Sequence, residues 1–490
     1  MSGIKPVRRW QPAFYPFKRE KPGKRLLARV ELMVKGPLFG CRMCGNCLLQ
    51  ETAFICPMEC PKGMRNGPCG GVTPSKRCYV DETRWCVWNR IYERALRKGR
   101  AEKLMEVLPP LDWNRVGCET WGDVVWQVRK VGTGRFIKAL LSKNSEERSA
   151  VWESVFMTVR QPAWWKGDSD FHPPSYNEPV SDLERRLRRG EFVVATEVVP
   201  PLGPDSGKLA NGIEMVKPFV TAINFTDASS ATPKMSSIAC SKMAHDLGAE
   251  PVLQIAARDT TRTGLQSAVI GASGMGIKNI LCITGDSPRI GPAPVSDMNF
   301  VDLDSVQMLW ILRRMRDEGI FLDGRKIKDP PQFFLGAATS PFASDPELQA
   351  IRDHKKANAG AQFFQTNIIF EPDRLDMWLG QLEKRGILDK VYILVGVAPL
   401  KSYRMAHYLH SKVPGITLPD NILKRMERAG DSAGEEGIQI ALETIEKIRG
   451  KKGVNGIHLM TLGWEAAVER IVKEAGLAVA GADSAERSDS

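Results

Sequence analysis

A chain of 490 residues exceeds what one hydrophobic core usually serves, since single cores stop growing near ~250–300 residues, so two or three domains are expected. Its 43% hydrophobic and 26% charged residues are those of a soluble globular protein, and no apolar run approaches the ~20 residues of a membrane-spanning helix. The net charge of +12 is uneven: residues 1–180 carry 31 Lys and Arg against 18 Asp and Glu, the remainder 38 against 39. Such a basic first third suits a solvated surface or an acidic protein partner; no nucleic-acid-binding motif accompanies it.

The first 25 residues are basic and aromatic but lack the apolar stretch of a secretory signal, which predicts a cytoplasmic protein. In that reducing compartment clustered thiols signal metal or catalysis rather than disulfides. Eight of the eleven cysteines fall at Cys41, Cys44, Cys47, Cys56, Cys60, Cys69, Cys78 and Cys86, with no histidine among them. Eight thiolates provide two four-thiolate zinc sites or two [4Fe–4S] clusters. The opening C-x2-C-x2-C gathers three sulfurs in a small volume, and Gly and Pro neighbours let backbone N–H groups approach cluster sulfides. Both features favour iron–sulfur, with zinc as the alternative. A helical segment is expected from Thr83 to Leu108, then an irregular stretch through Trp113, Trp121, Trp126, Trp152, Trp164 and Trp165. Turns between Pro173 and Asp182 read as a linker, so residues 1–180 are expected to form a cysteine-rich module with this extension.

Beyond the linker, short β-branched runs alternate with amphipathic helices. Strand candidates begin at Phe192, Ala222, Pro251, Asn279, Phe333, Phe363, Val391 and Gly456. Eight β-then-α units in about 300 residues predict an α/β fold, a (β/α)8 TIM barrel over residues 181–477, with a disordered tail over 478–490. Chemistry in that fold sits where strands end. The strand ends read Glu197, Thr226-Asp227, Arg258-Asp259, Thr284-Gly285-Asp286, Thr339-Ser340, Thr366-Asn367 and Thr461-Leu462-Gly463. Most such acids serve equally well as helix caps. Glu197 lies inside an apolar run with no helix directly following, a setting that keeps a carboxyl protonated near neutrality for general-acid work.

The Glu before Pro200-Pro201, the fourth-strand LCITGD, the Lys356–Ala361 segment and the final IHLMTLG together resemble the flavin-dependent methylenetetrahydrofolate reductases, across essentially all of residues 181–477. The stretch from Cys41 to Gly71 resembles the cysteine-rich module that accompanies some bacterial members, as a separate subunit or a fusion. The resemblance implies a flavin, FAD or FMN, at the barrel mouth and reduction of 5,10-methylenetetrahydrofolate to 5-methyltetrahydrofolate in one-carbon metabolism. It implies Glu197 as the acid that protonates N10, and Asp286 as the carboxylate between flavin and pterin that stabilises the cationic iminium. Thr226, Thr284, Gly285 and Lys356 would hold the flavin, Lys356 through its phosphate; Asn367 and Gln365 would meet the pterin. An acidic electron carrier or an iron–sulfur partner subunit would supply electrons through the module, in an oligomer.

Three positions depart from the family pattern. Asn367 stands where Gln is common, Gly463-Trp464 where Asn-Arg is common, and Gln349 is nearest in register to a carboxylate usually found upstream of the lysine. A non-redox pterin-dependent methyltransferase and a non-catalytic iron–sulfur connector are the competing functions.

Overall fold

The computed structural model describes residues 22–73, 75–142, 144, 151, 164–165, 169–292, 301–342, 345–413 and 415–477. The expected tail and part of the tryptophan-rich stretch lie outside them. Among the described residues no helix is long and apolar enough to cross a membrane.

The cysteine-rich region begins with α1 (Pro22–Phe39) and contains one short hairpin, β1 (Arg77–Cys78) and β2 (Asp81–Trp85), followed by α2 (Val87–Arg97). The helix expected from Thr83 to Leu108 is therefore broken. Thr83 lies in β2, and the helix stops ahead of Gly99, whose φ of +62° is left-handed backbone that only glycine adopts freely; a separate 3-10 turn, Ala101–Met105, follows. Helices α3 (Trp121–Val131) and α4 (Thr133–Leu141) come next. From the tryptophan-rich stretch, Trp165 packs its ring 4.3 Å from that of Trp310, which lies on a barrel helix.

All eight expected barrel strands form. They are β3 (Val193–Glu197), β4 (Ala222–Phe225), β5 (Pro251–Ala256), β6 (Asn279–Ile283), β7 (Phe334–Thr339), β8 (Phe363–Ile368), β9 (Tyr392–Val397) and β10 (Val454–Leu459). Every neighbouring pair is parallel, and β10 pairs with both β9 and β3, which closes the barrel. Ahead of it runs α5 (Asp182–Arg188), capped by the Ser181 hydroxyl accepting from the Glu184 amide. The helices outside the barrel are α6 (Gly207–Val216), α7 (Ser237–Asp246), α8 (Arg262–Gly274), α9 (Ser305–Asp317), α10 (Pro346–Asn358) and α11 (Pro372–Lys384). Three more, α12 (Tyr403–Lys412), α13 (Asp420–Arg428) and α14 (Ala433–Arg449), separate β9 from β10, and α15 (Ala467–Glu474) follows β10.

Side chains alternate between the two faces of each strand, so one strand serves two cores. Val194, Ile223 and Leu253 pack against the surrounding helices, whereas Val193, Ala195, Ala222, Val252, Leu281, Phe334, Phe363 and Leu394 fill one end of the interior. Leu183 and Leu187 of α5 plug that end. Phe334 and Phe363 stack at 4.7 Å, an arrangement that needs Gly336, since a Cβ there would stand 2.3 Å from the Phe363 ring. Continuing the alternation past Val193 and Ala195 aims Glu197 inward at the opposite end, the mouth.

The cysteine-rich region sits on that mouth. One carboxylate both starts a barrel helix and anchors the region: Asp304 caps α9 in a capping box with Gln307, and also accepts from the Asn66 amide at 2.8 Å and the Asn66 side chain at 3.1 Å. Trp113 Nε1 donates to Asp302 at 2.6 Å, and the Tyr92 hydroxyl to Glu347 at 2.6 Å.

Candidate active site at the barrel mouth

The strand ends and the cysteine-rich region enclose a cleft of about 290 Å³. Its barrel wall includes Thr226, Asp227, Gln254, Arg258, Thr284, Gly285, Asp286, Arg352 and Asn367; Lys62, Cys69 and Tyr79 come from the cysteine-rich region. The structure thus gathers Thr226, Thr284, Gly285, Asp286 and Asn367 of the expected set around one space. Two polar atoms there lack protein partners although buried, the Thr226 hydroxyl and Arg352 Nε. Buried polar groups are normally paired, so unsatisfied ones on a cleft wall fit a polar ligand. With three cationic side chains and several hydroxyls beside them, the wall fits the phosphate and ribityl groups of a flavin.

Asp286 sits in a turn fixed from several sides. Its Oδ2 accepts from the Ser230 amide at 2.9 Å, and its carbonyl accepts from Arg258 at 3.1 Å. Gly285 reaches a φ of +78°, and a Cβ on it would lie 3.2 Å from the side chains of Ala256 and Arg258, so the turn needs glycine twice over.

Glu197 does not line this cleft; it lies beside it, 8% exposed. Burial pushes its carboxyl up to about 7, with Lys234 opposing and Glu465 adding to the rise. Lys234 in turn donates to the Ser229 hydroxyl at 2.9 Å, and Ser229 belongs to the cleft wall. The loop carrying Lys234 is tied to the Pro200-Pro201 pair through the Met235 amide, which donates to the Pro201 carbonyl.

Two expected binding residues occupy other positions. Gln365 is buried across the interior against Asn224, accepting at 2.5 Å and donating at 3.2 Å, and so underlies the cleft without lining it. Lys356 is fully buried and donates to the Ala338 carbonyl at 2.6 Å and to Asp353 at 2.9 Å. Burial and the nearby Arg352 push its ammonium down to about 8, against the pull of Asp353. Lys356 therefore does not line the cleft; the cation of α10 that does is Arg352, one helical turn earlier. Gln349 belongs to the same buried knot, donating to Asp353 at 3.1 Å. Asp353 therefore stands as the carboxylate beside the lysine, four residues later than the position at which the sequence suggested looking.

The eight cysteines divide into two quartets, each around its own small void. Cys41, Cys44, Cys47 and Cys56 line one; Cys60, Cys69, Cys78 and Cys86 line the other. Burial and the neighbouring thiols of the same quartet raise Cys56 and Cys60. Backbone amides already point at sulfur: Met43 N lies 3.4 Å from Cys41 Sγ, and Gly71 N 3.4 Å from Cys69 Sγ. Lys35 Nζ approaches Cys47 Sγ at 3.8 Å. Among the described residues no group of three or more His, Cys, Asp or Glu side chains is arranged to hold a single metal ion. Cys69 belongs both to the second quartet and to the cleft wall.

Sequence reasoning missed Lys62, Tyr79 and Arg352. Arg352 was within reach, being four residues before Lys356 and so on the same helix face. Nothing in the sequence indicated that the cysteine-rich region folds over the mouth.

None of the curated proteins compared with the chain matches it significantly. Among solved structures, an uncharacterized protein from Clostridium thermocellum that binds two copies of 5-methyl-5,6,7,8-tetrahydrofolic acid aligns at 14% identity and a TM-score of 0.46, covering 60% of this chain and 99% of its own. A putative deoxyribose-phosphate aldolase from Toxoplasma gondii ME49 aligns at 11% identity and a TM-score of 0.31, covering 59% and 94%. The family model described as methylenetetrahydrofolate reductase C terminal matches residues 23–114, here at the N-terminal end, and the model described as methylenetetrahydrofolate reductase matches residues 182–476. With more than half its length matched by that second model, the chain belongs to the methylenetetrahydrofolate reductase family.

Proposed function

We propose that the chain reduces 5,10-methylenetetrahydrofolate to 5-methyltetrahydrofolate with a flavin held in the mouth cleft. The observation that carries this reading is the pairing of a buried carboxyl raised to about 7 with a second carboxylate held in a fixed turn at the same mouth. Such a pair divides the labour that the reaction needs. Glu197, which burial keeps substantially protonated up to about pH 7, donates a proton at folate N10 and so opens the five-membered ring to a cationic iminium. Asp286 provides the negative charge that stabilises that cation without reorganising, since its turn is already fixed. Arg352, Arg258 and the hydroxyls of Thr226 and Thr284, which line the cleft, would hold the anionic and polar parts of the cofactor, and Asn367 would meet the pterin. When bound, the flavin supplies the hydride that completes the reduction.

Iron–sulfur clusters are the occupants proposed for the two quartets, on the strength of the opening C-x2-C-x2-C triplet, with zinc as the alternative. Cys60, Cys69, Cys78 and Cys86 would hold the cluster nearer the cleft, where it supplies electron transfer to the cofactor from an acidic carrier or partner subunit. Residues 1–180 would then be the module and 181–477 the barrel.

Anaerobic purification tests this reading. The protein should carry flavin absorption that bleaches with reductant and returns on adding 5,10-methylenetetrahydrofolate, together with iron and acid-labile sulfide. A flavin-free protein that cannot be reconstituted would overturn the reductase assignment; zinc without iron would overturn the electron-transfer role of the quartets.

A further inference from the structure

Two contacts join the cysteine-rich region to the turn that carries Asp286, and a third links the two side chains that make them. Lys62, 5% exposed, donates from Nζ to the Gly285 carbonyl at 2.5 Å and to the Tyr79 hydroxyl at 3.2 Å. The Tyr79 hydroxyl accepts from the Ser287 amide at 3.4 Å. Counting the Arg258 bond to the Asp286 carbonyl, the peptide groups on both sides of Asp286 are held, two of them from outside the barrel. The Lys62 ammonium also lies 5.5 Å from the centre of the Tyr79 ring, so the two side chains support each other. Tyr79 is itself wedged: a Cβ on Gly71 would stand 2.0 Å from its ring.

We infer that Lys62 and Tyr79 are positioning residues of the active site, by which the cysteine-rich region sets the orientation of the Asp286 carboxylate over the cleft. A barrel with Thr284-Gly285-Asp286 exposed to water would keep the bonds from Ser230 and Arg258 but lose those from Lys62 and Tyr79, leaving the Gly285 carbonyl and the Ser287 amide unrestrained beside a glycine at φ +78°. Lys62 neutralises the carbonyl end of the Gly285–Asp286 peptide, and Tyr79 restrains the amide that follows. This inference rests on the reductase reading for its catalytic consequence, but the restraint on the turn does not.

Hydrogen–deuterium exchange on the full chain separates the two. In K62M and Y79F, peptides spanning residues 284–288 should exchange about tenfold faster, the effect of losing roughly one net hydrogen bond, while strand β6 and the thiol quartets keep their protection and metal content. K62R should retain most of the protection at the turn. Steady-state assays with an artificial reductant should show kcat falling in K62M with the folate KM little changed, since orientation of Asp286 matters most in the transition state, and K62R should recover part of the loss. Unchanged exchange at residues 284–288 in K62M overturns the inference, as does exchange that rises everywhere together with loss of metal. A wild-type protein without folate reduction whose turn still loosens in K62M would sink the reductase reading and leave the positioning role standing.

Discussion

At the scale of single residues, the barrel mouth divides its charges between chemistry and structure, and burial decides which is which. Glu197 has a raised pKa because it is buried without a strong cationic partner, so its neutral form is favoured in the fold; that preference holds at low pH and is lost as pH rises through about 7. The proton-donating form disappears over the same range. The folate half-reaction should therefore slow above about pH 7, and E197Q should retain flavin while losing ~10²–10⁴-fold in rate, with that pH limb abolished. Rapid-mixing kinetics across pH would show it, and an unchanged profile in E197Q would remove Glu197 from the acid role. Arg352 and Lys356 make the opposite comparison. R352M should weaken flavin retention and leave the thermal midpoint nearly unchanged. K356M should keep what flavin binds but lower stability by about 3–5 kcal/mol, because Asp353 would stay buried without its cation. Equal effects of the two on flavin content would contradict this separation.

At the scale of elements, Asp304 is both the cap of α9 and the anchor for Asn66. Removing it costs one N-cap, about 1 kcal/mol, and leaves several buried donors unpaired. D304A should lower the unfolding midpoint and make the segment around Asn66 more open to protease, whereas a merely local cap would leave protease sensitivity unchanged. Elements were the most legible part of the sequence. The barrel strands announced themselves as short, mostly apolar runs between helical segments, because a parallel strand is buried on both faces. The cysteine-rich region was legible in composition but not in shape, since loops held by thiols have no period. For that reason the helix expected from Thr83 to Leu108 begins too early and runs on past Gly99, where the structure ends it. The cleft was legible where strand ends line it, as at Thr226, Thr284, Asp286 and Asn367. It was illegible where Lys62 and Tyr79 reach in from more than two hundred residues away, because tertiary docking leaves no local signal.

At the scale of the whole molecule, the positive excess lies in residues 1–180, the same part of the chain that carries the two thiol quartets. A small acidic carrier should reduce the flavin of the full chain faster than NADH does, at a rate that falls as ionic strength rises, because salt screens the attraction that speeds encounter. Stopped-flow reduction over a salt series measures this directly. A rate indifferent to salt would mean that the basic surface does not guide the donor, and faster reduction by NADH than by any carrier would reassign the cysteine-rich region to a structural role.

The cap over the barrel mouth and the barrel beneath it are parts of one chain, and this alters what their contact surface has to achieve. Two separate subunits would meet with an occupancy set by their concentrations, so a dilute solution would empty the mouth of Lys62, Tyr79 and Cys69. A covalent connection replaces that second-order encounter with an intramolecular one, at an effective concentration on the order of millimolar. The cap is then kept seated by polar contacts such as those of Asn66 on Asp304 and Trp113 on Asp302 together with the packing of Leu348 and Ile351 of α10 among Trp88, Ile91 and Leu104 of the cap. Specific activity should accordingly stay constant as the enzyme is diluted from micromolar to nanomolar. Cleavage of the chain between the two parts should make it fall with dilution, and a cleaved enzyme that kept its activity when dilute would mean that the contacts alone hold the cap in place.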